Sequence, residues 1–173
     1  MSIPPSTKDF PPEDEEIHIE ELTEADATEI AELLALVWPY ADHIPLEWRN
    51  KRVLTANEII TEMQKGIRYF GARLNNRLVG FYKTVLTPEG VLGEHQTVHP
   101  NYRHRGLVRA MYRQFINYAR EGNAPGNLCN ILEDHLTMRA LVESFGFRPK
   151  GSPYEQAPGM WVQLYFRPVD KPN

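Results

Sequence analysis

Two periodicities of hydrophobic residues along the chain predict its helices and strands. Apolar residues spaced three or four positions apart predict helices over residues 30–37, 56–65, 107–121 and 136–145. Alternating or short apolar runs between turn residues predict strands over residues 17–22, 67–74, 77–86, 90–98, 127–132, 147–150 and 160–166. The order β-α-α-β-β-β-α-β-α-β-β joins a hairpin, which turns at Asn75-Asn76, to a strand-helix-strand unit. We therefore expect an α/β fold, a single domain with a mixed sheet and helices on both faces.

Composition adds an acidic arm to this domain. The 173 residues, of which 42% are hydrophobic, suffice for one globular domain with its own core. Residues 1–16 hold four prolines and five acidic residues against one lysine, so we expect a disordered, acidic, Pro-rich arm. The folded domain is predicted to span residues 17–169, followed by a tail at 170–173. Because the arm carries the whole net charge of −4, the remaining chain is neutral.

The composition also argues against several classes of protein. The single cysteine, Cys129, cannot form an intramolecular disulfide or a Cys-rich zinc site, and we expect a reducing, cytoplasmic location. No apolar run approaches the roughly 20 residues of a membrane span, and the N-terminus does not resemble a signal peptide, so we expect no membrane partner. A neutral domain lacks the positive field of a nucleic-acid-binding protein, so we expect no nucleic-acid partner.

Basic residues cluster where the fourth predicted strand ends and the longest predicted helix begins. No acidic residue occurs from His95 to Arg120. The turn before the helix contains Gly106, and four arginines lie in this turn and the first part of the helix, Arg103, Arg105, Arg109 and Arg113. The first N–H groups of a helix have no partner within it and lie at the positive end of the helix dipole, so they favour an anion such as phosphate. An ordinary solvated helix start is the alternative on these residues alone.

Two motifs resemble the GCN5-related N-acetyltransferase (GNAT) family. The family's phosphate-binding motif, Q/R-x-x-G-x-G/A, is matched by Arg103 and Gly106, whereas Val108 stands where the family usually has Gly or Ala. About 40 residues further on, HLTMRALVESFGF is similar to the family's last helix with its closing Gly-Phe, here Gly146-Phe147. The resemblance extends over about residues 17–168 and implies the acyl-CoA N-acyltransferase fold.

This resemblance implies acetyl-CoA as the cosubstrate, and on the separate ground of the histidine spacing we expect no metal. The pyrophosphate would bind the backbone of residues 103–108, which are Arg103, His104, Arg105, Gly106, Leu107 and Val108. The pantetheine arm would run between the strands that end at Val98 and near Asn130, and the backbone of Val98 would polarise the thioester carbonyl. The acceptor amine would attack directly, without a covalent enzyme intermediate, so we expect Cys129 to be a buried strand cysteine.

Glu94 is the candidate general base. It is the sole acid on the predicted strand that leads to Val98, and the period-two alternation of a strand places both residues on one face. A carboxylate there could take the proton of the amine directly or through a water molecule, although a surface acid at a strand start fits the same pattern. His95 and His99 lie about 13 Å apart along the strand, which is too far to share a metal ion.

The proton donor for the departing thiolate is unassigned. Many family members have a tyrosine for this role in the last helix, where this sequence has Val142, and the family's Asn near the start of that helix is His135 here. Three tyrosines are candidates by residue type alone, Tyr102, Tyr112 and Tyr154.

An aromatic segment lies between the first two predicted helices. Its residues are Trp38, Tyr40, His43 and Trp48. They could form a wall for the acceptor, or they could pack as core residues under a loop interrupted by Pro39 and Pro45.

These observations favour an N-acetyltransferase that transfers an acetyl group from acetyl-CoA to a primary amine, carried by a small molecule or a protein. The alternative is a catalytically silent acyl-CoA-binding sensor or regulatory module, suggested by Val108 and Val142. A nucleic-acid binder using residues 103–113 is the weakest hypothesis, because one basic helix turn neutralises few phosphates. We expect a monomer or a homodimer.

Overall fold

A mixed sheet of eight strands forms the centre of the computed structural model, which describes residues 17–170. The predicted arm at 1–16 and residues 171–173 of the predicted tail lie outside the described residues. The strands are β1 (Ile19–Glu21), β2 (Arg68–Leu74), β3 (Arg77–Thr87), β4 (Gly90–Val98), β5 (Gly126–Leu132), β6 (Arg148–Pro149), β7 (Tyr154–Ala157) and β8 (Met160–Pro168). Their order in the sheet is β1-β2-β3-β4-β5-β8-β6, and β7 pairs with β8.

Helices cover both faces of this sheet, as predicted. They are α1 (Ala27–Val37), α2 (Leu46–Arg52), α3 (Ala56–Gln64), α4 (Leu107–Glu121) and α5 (Leu136–Ser144). Helix α1 buries Ile30 in one core cluster with Phe81 of β3. The next residue of β3, Tyr82, points to the other face and packs in a second cluster with Met111 of α4 and Val142 of α5. No helix among residues 17–170 has the length and apolarity needed to cross a membrane.

Local sequence signals set the ends of several elements. The hairpin between β2 and β3 turns at Asn75 and Asn76, whose φ angles of 50° and 64° suit asparagine better than most residues. Thr55 begins α3 with a capping box, since its hydroxyl accepts from the Glu58 N–H at 3.2 Å and the Glu58 carboxylate accepts from the Thr55 N–H at 3.1 Å. These ends lie close to the positions predicted from the sequence.

The predicted α/β fold class is confirmed, although the predicted element order omits α2 and β7. Helix α2 has seven residues, none of them buried, so it lacks the apolar stripe by which a helix is recognised. Strand β7 has four residues and pairs only with β8 among the described strands. Elements this short are stabilised by their tertiary contacts, which a sequence pattern does not reveal.

Candidate active site

A cleft opens between β4 and β5, which run parallel. Their pairing covers three residue pairs and ends at Gly93. At the start of the pair the backbones touch, because a Cβ added to Gly90 would lie 2.4 Å from the carbonyl oxygen of Gly126. Past Gly93 the two strands are no longer paired, and Val98 and Asn130 line the cleft between them, which has a volume of about 1830 Å³. The separation of these strands is the one that the family resemblance implies.

A β-bulge in β4 changes which side chains share a face. Glu94 lies opposite Lys83 of β3, whereas Val98 lies opposite Gly80, with one extra residue on β4 between these pairs. His95, at the bulge, has a φ of 54°. The extra residue reverses the alternation, so Glu94 and Val98 lie on opposite faces of the sheet. The prediction that they share a face is therefore wrong, although both residues line the cleft.

The backbone N–H of Val98 points toward the cleft. The N–H of His99 donates to the carbonyl of Val79 on β3 at 2.8 Å. Successive N–H groups of an extended strand point to opposite edges, so the N–H of Val98 faces the β5 edge, where strand pairing has ended. It can serve there as a donor to an oxygen that gains negative charge.

The start of α4 has the geometry of an anion-binding helix terminus. Gly106 caps it with a φ of 83°, a conformation that costs a residue with a Cβ about 1–2 kcal/mol. The N–H of Ala110 donates to the Gly106 carbonyl at 3.0 Å, so the N–H groups of residues 107–109 precede the helical hydrogen-bond ladder. The first turn contains no acidic residue. The backbone and the helix dipole therefore favour an anion here.

Residues 103–108, called the cradle below, lie together on the wall of the cleft. Buried Leu107 anchors the helix start in a small core cluster with Tyr102 and Val79. The preceding side chains are exposed, those of Arg103, His104 and Arg105. A Cβ on Gly106 would have one described atom within 4 Å, Cδ1 of Ile17 at 4.0 Å, so the space in front of the cradle is open.

Glu94 is half-buried on the cleft wall and forms no ion pair with any residue of the described chain. Its cross-strand neighbour Lys83 donates instead to the Glu62 carboxylate, with Nζ 2.8 Å and 3.0 Å from its two oxygens. The Tyr69 hydroxyl donates to the same carboxylate at 2.6 Å. Because Glu62 neutralises Lys83, the Glu94 carboxylate stays available to a ligand in the cleft.

Aromatic residues line part of the cleft. Trp38 is 8% exposed and belongs to the core, and it also lines the cleft. Its indole N–H donates to Thr97 Oγ1 at 3.0 Å, which holds the ring against β4. Tyr40, His43 and Trp48 line the same cleft. Trp48 lies on α2, so the predicted loop is in part a helix.

A family model matches most of the part of the chain that forms this cleft. The model of the acetyltransferase (GNAT) family matches residues 27–147, which is more than half of the chain and includes β4, the cradle and β5. The chain belongs to this family. Its members are acyl-CoA-dependent N-acetyltransferases, and this GNAT protein is an enzyme of that class. No curated protein sequence matches the chain significantly.

Solved structures agree with this GNAT fold. A GNAT acetyltransferase from Streptococcus pneumoniae superposes with a TM-score of 0.75 at 18% identity, covering 90% of this chain and 100% of that one. The ribosomal-protein-S18-alanine N-acetyltransferase of Escherichia coli superposes with a TM-score of 0.71 at 16% identity, covering 90% of this chain and 96% of that one. The yncA protein of Salmonella typhimurium, solved with its cofactor acetyl-CoA, superposes with a TM-score of 0.72 at 17% identity. The match covers 91% of this chain and 96% of that one. At these identities the likeness shows the fold alone.

Two histidines of this GNAT domain, His95 and His99, have lowered pKa values. Burial, together with the charges of Lys83 and Arg52, lowers the pKa of His95 to about 3, so its ring is neutral at physiological pH. Burial and two nearby arginines also lower the pKa of His99, whose Nδ1 accepts from the Asn101 N–H at 3.1 Å. Residues 17–170 contain no group of three or more His, Cys, Asp or Glu side chains that could hold a metal ion.

The three candidate tyrosines differ in where their hydroxyls lie. Tyr102 is buried edge-on against His99, with ring centroids 5.2 Å apart, and Tyr112 is buried beside Cys129. Tyr154 is 41% exposed, and its hydroxyl donates to Asn130 Oδ1 at 2.8 Å. The structure therefore brings Tyr154 to the Asn130 wall of the cleft, a contact that nothing in the sequence indicates.

Two further residues have the environment expected of packing residues. Val142, at the position of the family's tyrosine, is fully buried in the core around α4. Cys129 is buried in β5, as predicted, and burial raises the pKa of its thiol to about 12, with a hydrogen bond to Tyr112 acting in the opposite direction. A thiol with such a pKa is not a nucleophile at neutral pH.

Proposed function

We propose that this GNAT enzyme transfers an acetyl group from acetyl-CoA to a primary amine, on a small molecule or a protein, by direct attack. The observation that carries the proposal is the cleft where β4 and β5 separate. An anion-favouring helix start, an available carboxylate and several aromatic residues all line this cleft. A phosphate-bearing donor and an amine acceptor would then meet beside Val98.

The residues present fit acetyl-CoA. The backbone N–H groups of the cradle, residues 103–108, would hold the pyrophosphate, with Arg103 and Arg105 adding positive charge around it. The pantetheine arm would lie between Val98 and Asn130, where the strands leave their backbone edges unpaired with one another. Val108, which departs from the family motif, turns its half-buried side chain toward the core around Met111. The open space in front of Gly106 leaves room for the anion.

The chemistry needs two things from the chain, a proton acceptor and a donor to the thioester oxygen. Acetyl-CoA supplies the activated acyl carbon. Glu94 would take a proton from the amine, directly or through water, so that the nitrogen lone pair can form the new C–N bond as the C–S bond breaks. The Val98 N–H would stabilise the negative charge that develops on the carbonyl oxygen. Solvent can protonate the leaving thiolate, because a thiol has an ordinary pKa near 8.5.

Turnover of a panel of amines tests the proposal. The protein is incubated with acetyl-CoA and primary amines of several classes, including amino acids, polyamines and peptides, and products are followed by mass spectrometry. We expect acetylated amine with equimolar release of coenzyme A. Binding of acetyl-CoA without product over a broad panel would instead favour the silent sensor module.

A further inference from the structure

Arg52 is a cation on the wall of the cleft that has no ion-pair partner among the described residues. It ends α2, lines the cleft and is half-buried. Its Nε is buried without a hydrogen-bond partner, and among residues 17–170 no carboxylate lies within ion-pair distance of its guanidinium. Burial lowers the pKa of Arg52 to about 10, with the charge of Glu94 acting in the opposite direction, so the side chain remains charged at neutral pH.

Several other cations of the fold that are buried or half-buried bond carboxylates. Lys83, whose side chain is 6% exposed, bonds Glu62. Arg73, whose side chain is 21% exposed, bonds three acidic side chains, Glu20, Asp26 and Glu29. Even the neighbouring cations of α2 have acidic partners, Arg49 with Asp42 and Lys51 with Glu47. A half-buried charge without an acidic partner is costly, so Arg52 points to a partner outside the described residues, such as a ligand in the cleft.

Two indole rings hold the Arg52 guanidinium in place. Its central carbon lies 4.4 Å from the centroid of the Trp38 ring and 5.9 Å from that of Trp48. Trp38 is itself fixed by its hydrogen bond to Thr97. An arginine that lies over an indole ring can keep N–H groups at the edge of its guanidinium, where a carboxylate can accept two parallel hydrogen bonds.

Glu94 supplies the opposite charge in the same cleft. Both side chains line this cleft, yet they form no ion pair with each other. A cation and an anion that share a cleft without contact complement a small zwitterion, with its ammonium or amine at Glu94 and its carboxylate at Arg52.

We propose that the acceptor is a free amino acid, and that Arg52 selects it by binding its carboxylate. The inference rests on the proposed function, because Glu94 must be the group that receives the amine. It separates amino acids from polyamines and from peptide amines, which lack a carboxylate beside the amine. Arg52 is a specificity-determining residue in this proposal and takes no part in the acyl transfer.

Matched acceptors test this assignment. Each of several amino acids is compared with its own amide, which keeps the size and the amine but loses the negative charge, and kcat/KM is expressed per free amine. We expect the wild-type protein to prefer the acid by roughly 10- to 100-fold, the worth of a charge-assisted hydrogen bond. Arg52→Gln should lower kcat/KM for amino acids by a similar factor and leave the amides unchanged. Arg52→Lys should restore part of the preference.

Lys51→Gln is the control, because it removes the adjacent exposed cation of α2 and should leave the preference intact. Thermal unfolding of each variant shows whether the fold is retained. If amines are acetylated but acids and amides react equally, or if Arg52→Gln slows both alike, the role of Arg52 is refuted while the proposed function stands. If no amine is acetylated by the wild-type protein, the proposed function itself fails.

Discussion

Placing a negative charge in the cradle by Gly106→Glu should weaken coenzyme A binding by roughly 10- to 100-fold. A carboxylate and one phosphate charge about 4 Å apart repel by about 4 kcal/mol at an effective dielectric constant of about 20. Gly106 is exposed and faces open space, so the new side chain can turn toward water and avoid part of this repulsion. About 1.4–2.7 kcal/mol should remain, which corresponds to the stated loss of affinity.

Backbone strain must be separated from charge in this experiment. Any residue with a Cβ at φ 83° is strained by about 1–2 kcal/mol, which lowers the free energy of unfolding. Gly106→Ala carries this strain without the charge, and Gly151→Glu carries strain and charge outside the cleft, since Gly151 has a φ of 72° and open space around it. Both should bind coenzyme A nearly as the wild-type protein does.

Isothermal titration calorimetry with coenzyme A measures the affinities, and thermal unfolding monitors the fold. The difference between Gly106→Glu and Gly106→Ala should shrink as salt is added, because ions screen exposed charges. Equal affinities of these two folded variants for coenzyme A at low salt would refute the reasoning, since a carboxylate in the cradle must repel a phosphate that is bound there.

Three further predictions concern the walls of the cleft. Glu94→Gln should lower kcat/KM by roughly 10²–10⁴-fold with little change in coenzyme A affinity, and the loss should shrink at high pH; Glu89→Gln is the control, and wild-type rates would place the base elsewhere. The His95 ring should not titrate between pH 5 and 8 by NMR. As the pH falls, this ring gains a proton in the unfolded chain before it does so in the folded protein, so the free energy of unfolding decreases by about 1.4 kcal/mol per pH unit below about pH 6.5. Titration near 6.5 would contradict the burial. Cys129 should resist alkylation at pH 8 until the protein is unfolded, and rapid labelling of the native protein would contradict its raised pKa.

The elements that build the cradle could be predicted because local signals define them. Gly106 before an apolar stripe that begins at Leu107 predicts where α4 starts, and the arginines without acids predict an anion. The structure places α4 at Leu107–Glu121, close to the prediction. Each of these signals acts over a few residues, so a sequence can display it.

The rest of the candidate site depends on distant contacts. The bulge at His95 arises from the pairing of β4 with β3, and the histidine at that position is not a typical bulge residue. In the sequence Arg52 resembles an ordinary surface cation, and only the folded position of α2 places it over the Trp38 ring. The hydrogen bond between Tyr154 and Asn130 joins two residues that are 24 positions apart in the sequence. The period-two prediction put Glu94 on the same face as Val98 because it assumed a strand without a bulge. Side chains alternate between faces only where the strand pairing is regular.

A crystal structure of the protein grown with coenzyme A tests the central claim most directly. We expect the pyrophosphate on the backbone N–H groups of residues 103–108 and the sulfur between Val98 and Asn130, with Glu94 and Arg52 on the wall of the same cleft. Coenzyme A bound elsewhere, or with its sulfur outside the cleft between β4 and β5, would contradict the account.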